Sequence, residues 1–163
     1  MEKDKLNEAV REIEIMEFRA GGNSYGIDVN DIREILPYDK NPLPVPNAHP
    51  FIEGIIKPRD FLIPVVNLLK CLRLKDSEEL KNDMLIVTAI QDLNIGFHVD
   101  SVRGIYRVKS SDVRQPGEDL TTSFTAAVSG ILPYEGYTIE VLNFRVMLQE
   151  VNPKLSIGAQ PEA

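Results

Sequence analysis

The sequence predicts a mainly β protein in which two pseudo-symmetric copies of a small five-stranded barrel share one apolar seam. Three observations lead there. Short Ile- and Val-rich runs of strand length are punctuated by glycine, proline and aspartate turns, with little helical periodicity between them. The chain also repeats itself: Gly96-Phe-His-Val-Asp-Ser-Val-Arg-Gly-Ile105 lies on Gly26-Ile-Asp-Val-Asn-Asp-Ile-Arg-Glu-Ile35 at an offset of 70. Gly130-Ile131, Ile139, Val141 and Asn143 fall on Gly54-Ile55, Ile63, Val65 and Asn67 at an offset of 76. Two matches in the same order, with six residues gained in a polar loop around Ser110 to Phe124, read as an internal duplication. Finally, about five strands per copy bury too little core alone, and closure into a barrel removes exposed edges.

The elements follow in order. Residues 1–12 are a charged lead-in, helical or disordered, with Leu6, Ala9 and Val10 at helical spacing. Ile13, Ile15 and, after a slip at Met16, Phe18 alternate with glutamates up to Gly21-Gly22-Asn23-Ser24, and Tyr25 to Val29 resumes as the second arm of a hairpin. Asn30 to Ile35 is expected to form one helical turn capped by Asn30, stopped by Pro37. A proline-rich extended connection runs to Pro50. Ile52 to Ile56 and Phe61 to Val66 form a hairpin around Pro58, Arg59 and Asp60. A type I turn there places Asp60 in the left-handed region and holds Arg59 at the tip. Leu68 to Leu74 suggests a brief helix, and Asp76 to Asp83 a polar linker at the midpoint.

Beyond the linker, Met84 to Ile90 and Leu93 to Val99 are strands around Gln91-Asp92, and Tyr134-Glu135-Gly136 marks the hairpin turn of the second copy. The expected division is a first barrel over about 13–75, a second over about 84–151, and a disordered tail at 152–163.

The totals narrow the function. At 163 residues with 43% hydrophobic and 26% charged residues, the chain has the composition of an ordinary soluble globular protein. A net charge of -7 disfavours a nucleic-acid surface, which needs a concentrated basic face. That leaves a nucleic-acid-binding pair of barrels as a rival reading only. Cys71 is the single cysteine, so no intramolecular disulfide or multi-thiolate metal site can form. No run approaches the roughly 20 apolar residues of a membrane span, and the N-terminus lacks a signal-peptide core, so a cytoplasmic protein is expected.

Groups able to do chemistry are scarce. His49 and His98 are the only histidines, one in the proline-rich connection and one alternating within a strand. No metalloprotease, nucleophile-elbow, phosphate-loop or dinucleotide pattern is present. The expectation is therefore no catalytic residue, no metal and no cofactor; a hydrolase using Asp28, His98 or Asp100 is the catalytic rival. Recognition is the stronger reading, with Ile32, Arg33 and Glu34 on a short turn and Arg59 on a hairpin tip, each fixed by a neighbouring strand pair.

Tyr25-Gly-Ile-Asp-Val, Ile32-Arg-Glu-Ile35, Val45-Pro46, Phe51-Ile-Glu-Gly-Ile-Ile56, Arg59 and Ile63-Pro-Val-Val-Asn-Leu68 closely resemble the CheW-like domain of bacterial chemotaxis, from about Ile13 to Val151. The resemblance implies two SH3-like barrels with pseudo-twofold symmetry, and a non-enzymatic adaptor that couples the signalling tip of chemoreceptors to the regulatory domain of the histidine kinase CheA. It implies an interface at Ile32, Glu34, Gly54 and Arg59, and a groove for the receptor's helical tip lined by Val29, Ile32, Val99 and Val102. Lys57-Pro58-Arg59-Asp60 departs from the family's usual Asn-Leu-Arg-Gly. Pro46-Asn-Ala-His-Pro50 and Gly96-Phe-His-Val-Asp100 also resemble the first domain of CheV adaptors, which carry a receiver domain.

Overall fold

The computed structural model describes residues 10–90 and 92–151, so the expectations for the charged lead-in and the tail fall largely outside the described residues. Among the described residues, ten strands form two five-stranded sheets. The first has the order β8-β1-β2-β10-β9, from β1 (Glu12–Ala20), β2 (Asn23–Asp28), β8 (Ser101–Lys109), β9 (Val128–Tyr134) and β10 (Tyr137–Leu142). The second has the order β3-β6-β7-β5-β4, from β3 (Glu34–Pro37), β4 (Ile52–Ile56), β5 (Ile63–Asn67), β6 (Met84–Ile90) and β7 (Leu93–Val99). Among the described residues two α-helices, α1 (Leu68–Cys71) and α2 (Phe144–Val151), follow β5 and β10.

The duplication is real but its halves are interleaved. Exchanging β1 with β6, β2 with β7, β3 with β8, β4 with β9 and β5 with β10 converts one strand order into the other. The registers agree at the residue level. Parallel β5 and β7 pair Val65 with Gly96, and parallel β10 and β2 pair Val141 with Gly26. Asn67 N donates to Phe51 O as Asn143 N donates to Ala127 O, both at 2.8 Å.

The second sheet is continuous in sequence, from Glu34 to Val99, whereas the first joins β1 and β2 to the last three strands. The expected partition into barrels at 13–75 and 84–151 is therefore corrected. The chain crosses between sheets at Val29–Arg33 and again at Asp100, and each half lends strands to both sheets. Matching offsets reveal equivalent elements, but they carry no information about which strands pair.

Each sheet curls until its outer strands share an interior. Ile15 of β1, Leu132 of β9 and Ile139 and Val141 of β10 pack with Tyr106 and Val108 of β8. Tyr38, Ile63, Val65, Leu85 and Val87 make the matching cluster in the second sheet. The opposite faces meet in one large seam that includes Met16, Phe18, Tyr25, Val66, Ile86, Phe97, Val99, Phe144 and Met147. β1 is apolar on both faces for this reason: Ile15 enters the sheet interior while Met16 and Phe18 enter the seam. The slip in its alternation at Met16 is a strand buried on both sides.

Local chemistry explains most turns. Gly21 and Gly22 at φ of 60° and 81°, and Glu135 and Gly136 at 48° and 90°, supply the paired left-handed residues of two-residue hairpins. The β4–β5 connection differs from expectation. The last pair is Ile56 with Ile63, so the strand starts two residues later than predicted. Phe61 and Leu62 stand 54% and 58% exposed in the loop, and Asp60 is not left-handed. Spreading the reversal over six residues removes the need for a left-handed residue.

The segment after β2 also differs from expectation. The helical turn is a 3-10 turn over Val29–Asp31 whose cap is Asp28, accepting from Asn30 N at 2.9 Å. Ile32 is already extended, and Glu34 begins β3 opposite Val87. Pairing with β6 outweighs the weak helical preference of the segment Asp31–Ile35.

Candidate functional site

A groove of about 590 Å³ opens between the sheets where the chain first crosses from one to the other. Its walls come from Ile13 and Ile15 of β1, Ile32 and Arg33 of the crossover, Thr88, Ala89 and Ile90 of β6, and Leu142 to Arg145 at the start of α2. β1 and β6 are equivalent strands of the duplication, so the groove lies between the two copies. Its floor is mainly aliphatic and aromatic, while Asp28, Asp31, Arg33 and Arg145 give it a charged rim. Apolar floor and polar rim together suit an amphipathic helix.

The residues singled out from sequence separate into five places. Ile32 and Arg33 line the groove. Val29 and Val102 are half-buried against the seam and are not in the groove wall. Val99 is wholly buried within the seam, so the expected contribution of that side chain to an open groove is corrected. It sits at the end of β7, paired with Met84, where the apolar alternation that marks a strand also marks the inward face. Gly54 is buried on β4 with φ of 152°, and a Cβ there would lie 2.4 Å from the Leu43 carbonyl oxygen. Its first role is to let the edge bridge between Leu43 and Ile55 form.

Glu34 and Arg59, read separately from the sequence, are brought together. The Arg59 guanidinium Nη2 donates to Glu34 Oε2 at 2.7 Å and Oε1 at 3.0 Å. The pair ties the first residue of β3 to the β4–β5 loop. Arg59 remains 58% exposed and Glu34 30%, so the pair is presented to solvent.

Sequence reasoning missed the groove residues Thr88, Ala89, Ile90 and Phe144. The signal that could have found Thr88 is the offset of 70, which places it on Phe18 and so marks a small polar residue where the other copy has a buried ring. Also missed was the environment of His98. Its Nδ1 and Nε2 lie 2.6 Å from Glu53 Oε2 and Asp83 Oδ2, and Tyr38 donates to Glu53 Oε1 at 2.6 Å. Burial alone pulls the imidazole pKa down, but the hydrogen bonds to Glu53 and Asp83 outweigh it and hold the ring protonated above its ordinary range. Glu53 is shifted the other way: burial raises its pKa, and bonds to His98 and Tyr38 bring it below the usual carboxylate range.

This arrangement bears on catalysis. Both ring nitrogens of His98 are committed to carboxylates, leaving none to act as a base. Asp28 caps its own turn, Asp100 Oδ2 accepts from Gly21 N at 2.9 Å, and neither hydrogen-bonds His98. The constellation of a hydrolase is not assembled among the described residues. Nor do the described residues contain a group of three or more His, Cys, Asp or Glu able to hold a metal ion. No helix among them is long and apolar enough to cross a membrane.

The chain is similar to several known proteins. The profile of the CheW-like domain covers residues 14–152. The chain is 31% identical to the chemotaxis protein CheW of Thermotoga maritima over 153 residues, spanning 91% of this chain and 96% of the relative. It is 24% identical to the CheW of Bacillus subtilis, over 88% of this chain and 91% of the relative. Chemotaxis protein CheV3 of Helicobacter pylori is 29% identical over 69% of this chain but only 39% of its own length. Among solved structures, the scaffolding protein TtCheW of Thermoanaerobacter tengcongensis superposes with a TM-score of 0.76 at 26% identity, covering 85% of this chain and 88% of that one.

Proposed function

The chain belongs to the CheW-like domain family, and from that membership we propose that it is a non-enzymatic adaptor joining a chemoreceptor's cytoplasmic signalling tip to the regulatory domain of the histidine kinase CheA. It is a chemotaxis scaffold of the CheW type; the assignment of partners to faces is the proposal. The observation that carries it is the groove between the copies, open, apolar in its floor and charged at its rim, with Ile32 and Arg33 in its wall. An amphipathic helix from the receptor tip fits that surface.

The second face is the second sheet around Glu34, Gly54 and Arg59, where an exposed arginine is oriented by a carboxylate. An arginine already oriented by a carboxylate suits a protein interface, because less side-chain freedom remains to be lost on docking. A kinase domain of related β architecture would pair with this face. Two unlike faces on one scaffold hold kinase near receptor, and modest affinities then reinforce one another through raised effective concentration. The protein would work in the cytoplasm, associated with receptor arrays through its partners.

The test is to titrate the labelled protein with a receptor signalling-tip fragment and, separately, with a kinase regulatory fragment, following backbone amide shifts. The expected result is a receptor footprint on Ile32, Arg33 and Thr88 to Ile90, and a kinase footprint around Glu34 and Arg59. Coincident footprints, or none, would refute the bridging role.

A further inference from the structure

Thr88 on β6 is 1% exposed and belongs to the groove wall, and its Oγ1 is the one buried side-chain oxygen among the described residues that lacks a hydrogen-bond partner. A hydroxyl buried without a partner destabilises a fold relative to a methyl of the same shape. The duplication makes the position more unusual. Phe18 pairs with Tyr25 across β1 and β2 as Thr88 pairs with Ile95 across β6 and β7, so the two residues are structural equivalents. Phe18 is fully buried in the seam, its ring 6.0 Å from Tyr25 and 6.1 Å from Phe144 between centroids. Where the first copy places Phe18 and Arg19, the second has Thr88 and Ala89, both in the groove wall.

The truncation from ring to hydroxyl therefore breaks the pseudo-twofold at the place where the cavity lies. At the rim, the exposed Arg33 and Arg145 make no side-chain hydrogen bond or ion pair among the described residues. The same rim carries Asp28 and Asp31, so it presents both signs of charge and favours an occupant with flanking charges of both signs. A helix has no spare backbone groups along its middle, so only a polar side chain of the occupant can satisfy Thr88.

We propose that Thr88 is a specificity-determining residue of the groove: its small size opens the groove on one side of the pseudo-twofold, and its hydroxyl hydrogen-bonds an amide or hydroxyl side chain in the apolar stripe of a docked helix. That helix carries charged side chains of both signs on its flanks, acidic ones for Arg33 and Arg145 and basic ones for Asp28 and Asp31. The inference rests on the receptor-tip reading of the groove and adds what the tip must present to it.

The experiment uses the full chain and a helical-hairpin fragment of a receptor signalling tip, with affinity measured by calorimetry and stability by thermal unfolding. Thr88→Val is expected to unfold at a higher temperature than the parent yet bind about tenfold more weakly, because the variant no longer carries a partnerless hydroxyl but leaves the occupant's polar group unpaired. Thr88→Ser, which keeps the hydroxyl, should stay within about threefold of the parent. Thr88→Phe should retain its folded spectrum, the ring entering the groove, and lose binding by more than tenfold. Equal binding by the parent and Thr88→Val overturns the hydrogen bond, and undiminished binding by Thr88→Phe overturns the shape argument. A parent protein that fails to bind the fragment sinks the receptor-tip reading itself, and this inference with it.

Discussion

Arg59 Nη2 donates to both carboxylate oxygens of Glu34 although the residues stand 25 positions apart. The contact joins the start of β3 to a loop that has no tight turn to order it. An exposed ion pair of this kind contributes only about 0–1 kcal/mol to folding. Arg59→Ala and Glu34→Ala are therefore expected to shift the unfolding temperature by no more than a few degrees while weakening capture of partner fragments severalfold or more. Thermal melts and pull-downs on the same preparations measure both. Normal capture of receptor and kinase by both variants would remove the pair from the interface.

His98 bridges Glu53 and Asp83, and its pH behaviour follows from the two opposed shifts. The imidazole has a folded pKa above its ordinary 6.5, so its contribution is fully present below about pH 6.5 and fades as pH rises through the folded value. Glu53 has a folded pKa below 4.5, so its contribution holds above about pH 4.5 and fades in acid. The network should stabilise most between these limits. His98→Gln is expected to cost roughly 1–3 kcal/mol near pH 5.5–6, with the difference from the parent shrinking as pH rises above about 6.5. Denaturant melts across pH 4 to 9 would expose a flat difference, which is incompatible with a protonated His98.

Asp100 shows the reverse relation. Burial raises its carboxyl pKa, opposed by the bond from Gly21 N, so ionisation at neutral pH works against folding. Asp100→Asn can keep an acceptor for Gly21 while carrying no charge. It should equal or exceed the parent in stability near pH 7, and lose that advantage as pH falls towards and below about 3.8, where the parent becomes protonated. An asparagine variant that is less stable at pH 7 than in acid, relative to the parent, would contradict this.

These residues also show what a sequence can disclose. The strands of β6 and β7 were legible to the residue because each run is bounded by turn chemistry and buried by alternation. The duplication was legible because equivalent glycines meet equivalent neighbours: a Cβ on Gly26 would meet Ile15 and Ile139, and one on Gly96 would meet Leu85 and Ile63. Strand exchange between halves was not, since periodicity reports which face is apolar and is silent about the neighbour. Glu34 and Arg59 were chosen individually, but their pairing depends on a loop whose course follows from no local signal. Val99 was misplaced because an apolar residue at a strand end reads alike in a groove wall and in a core. Thr88 passed unnoticed because its importance lies in a comparison with Phe18 and in a burial that no local pattern encodes.

Gly54 and Gly130 occupy equivalent positions on β4 and β9, and they offer a last test of how alike the copies are. A Cβ on Gly54 would lie 2.4 Å from Leu43 O and 2.8 Å from Pro42 Cβ, on a backbone at φ of 152°. A Cβ on Gly130 would lie 2.4 Å from Val113 Cγ1 and 3.2 Å from Arg114 O, without a positive φ. The first obstacle is backbone held by the bridge to Ile55, which can move only if that edge pairing opens. The second is a side-chain methyl that a rotamer change can withdraw. Gly54→Ala should therefore cost about 3 kcal/mol or more, combining strain with a lost bridge, and Gly130→Ala about 1–2 kcal/mol. Paired denaturant titrations give the ranking directly. Equal costs would mean that the edge bridge at Leu43 yields as easily as a valine side chain. In that case, any loss of partner capture in Gly54→Ala could be attributed to the interface itself rather than to an unfolded edge.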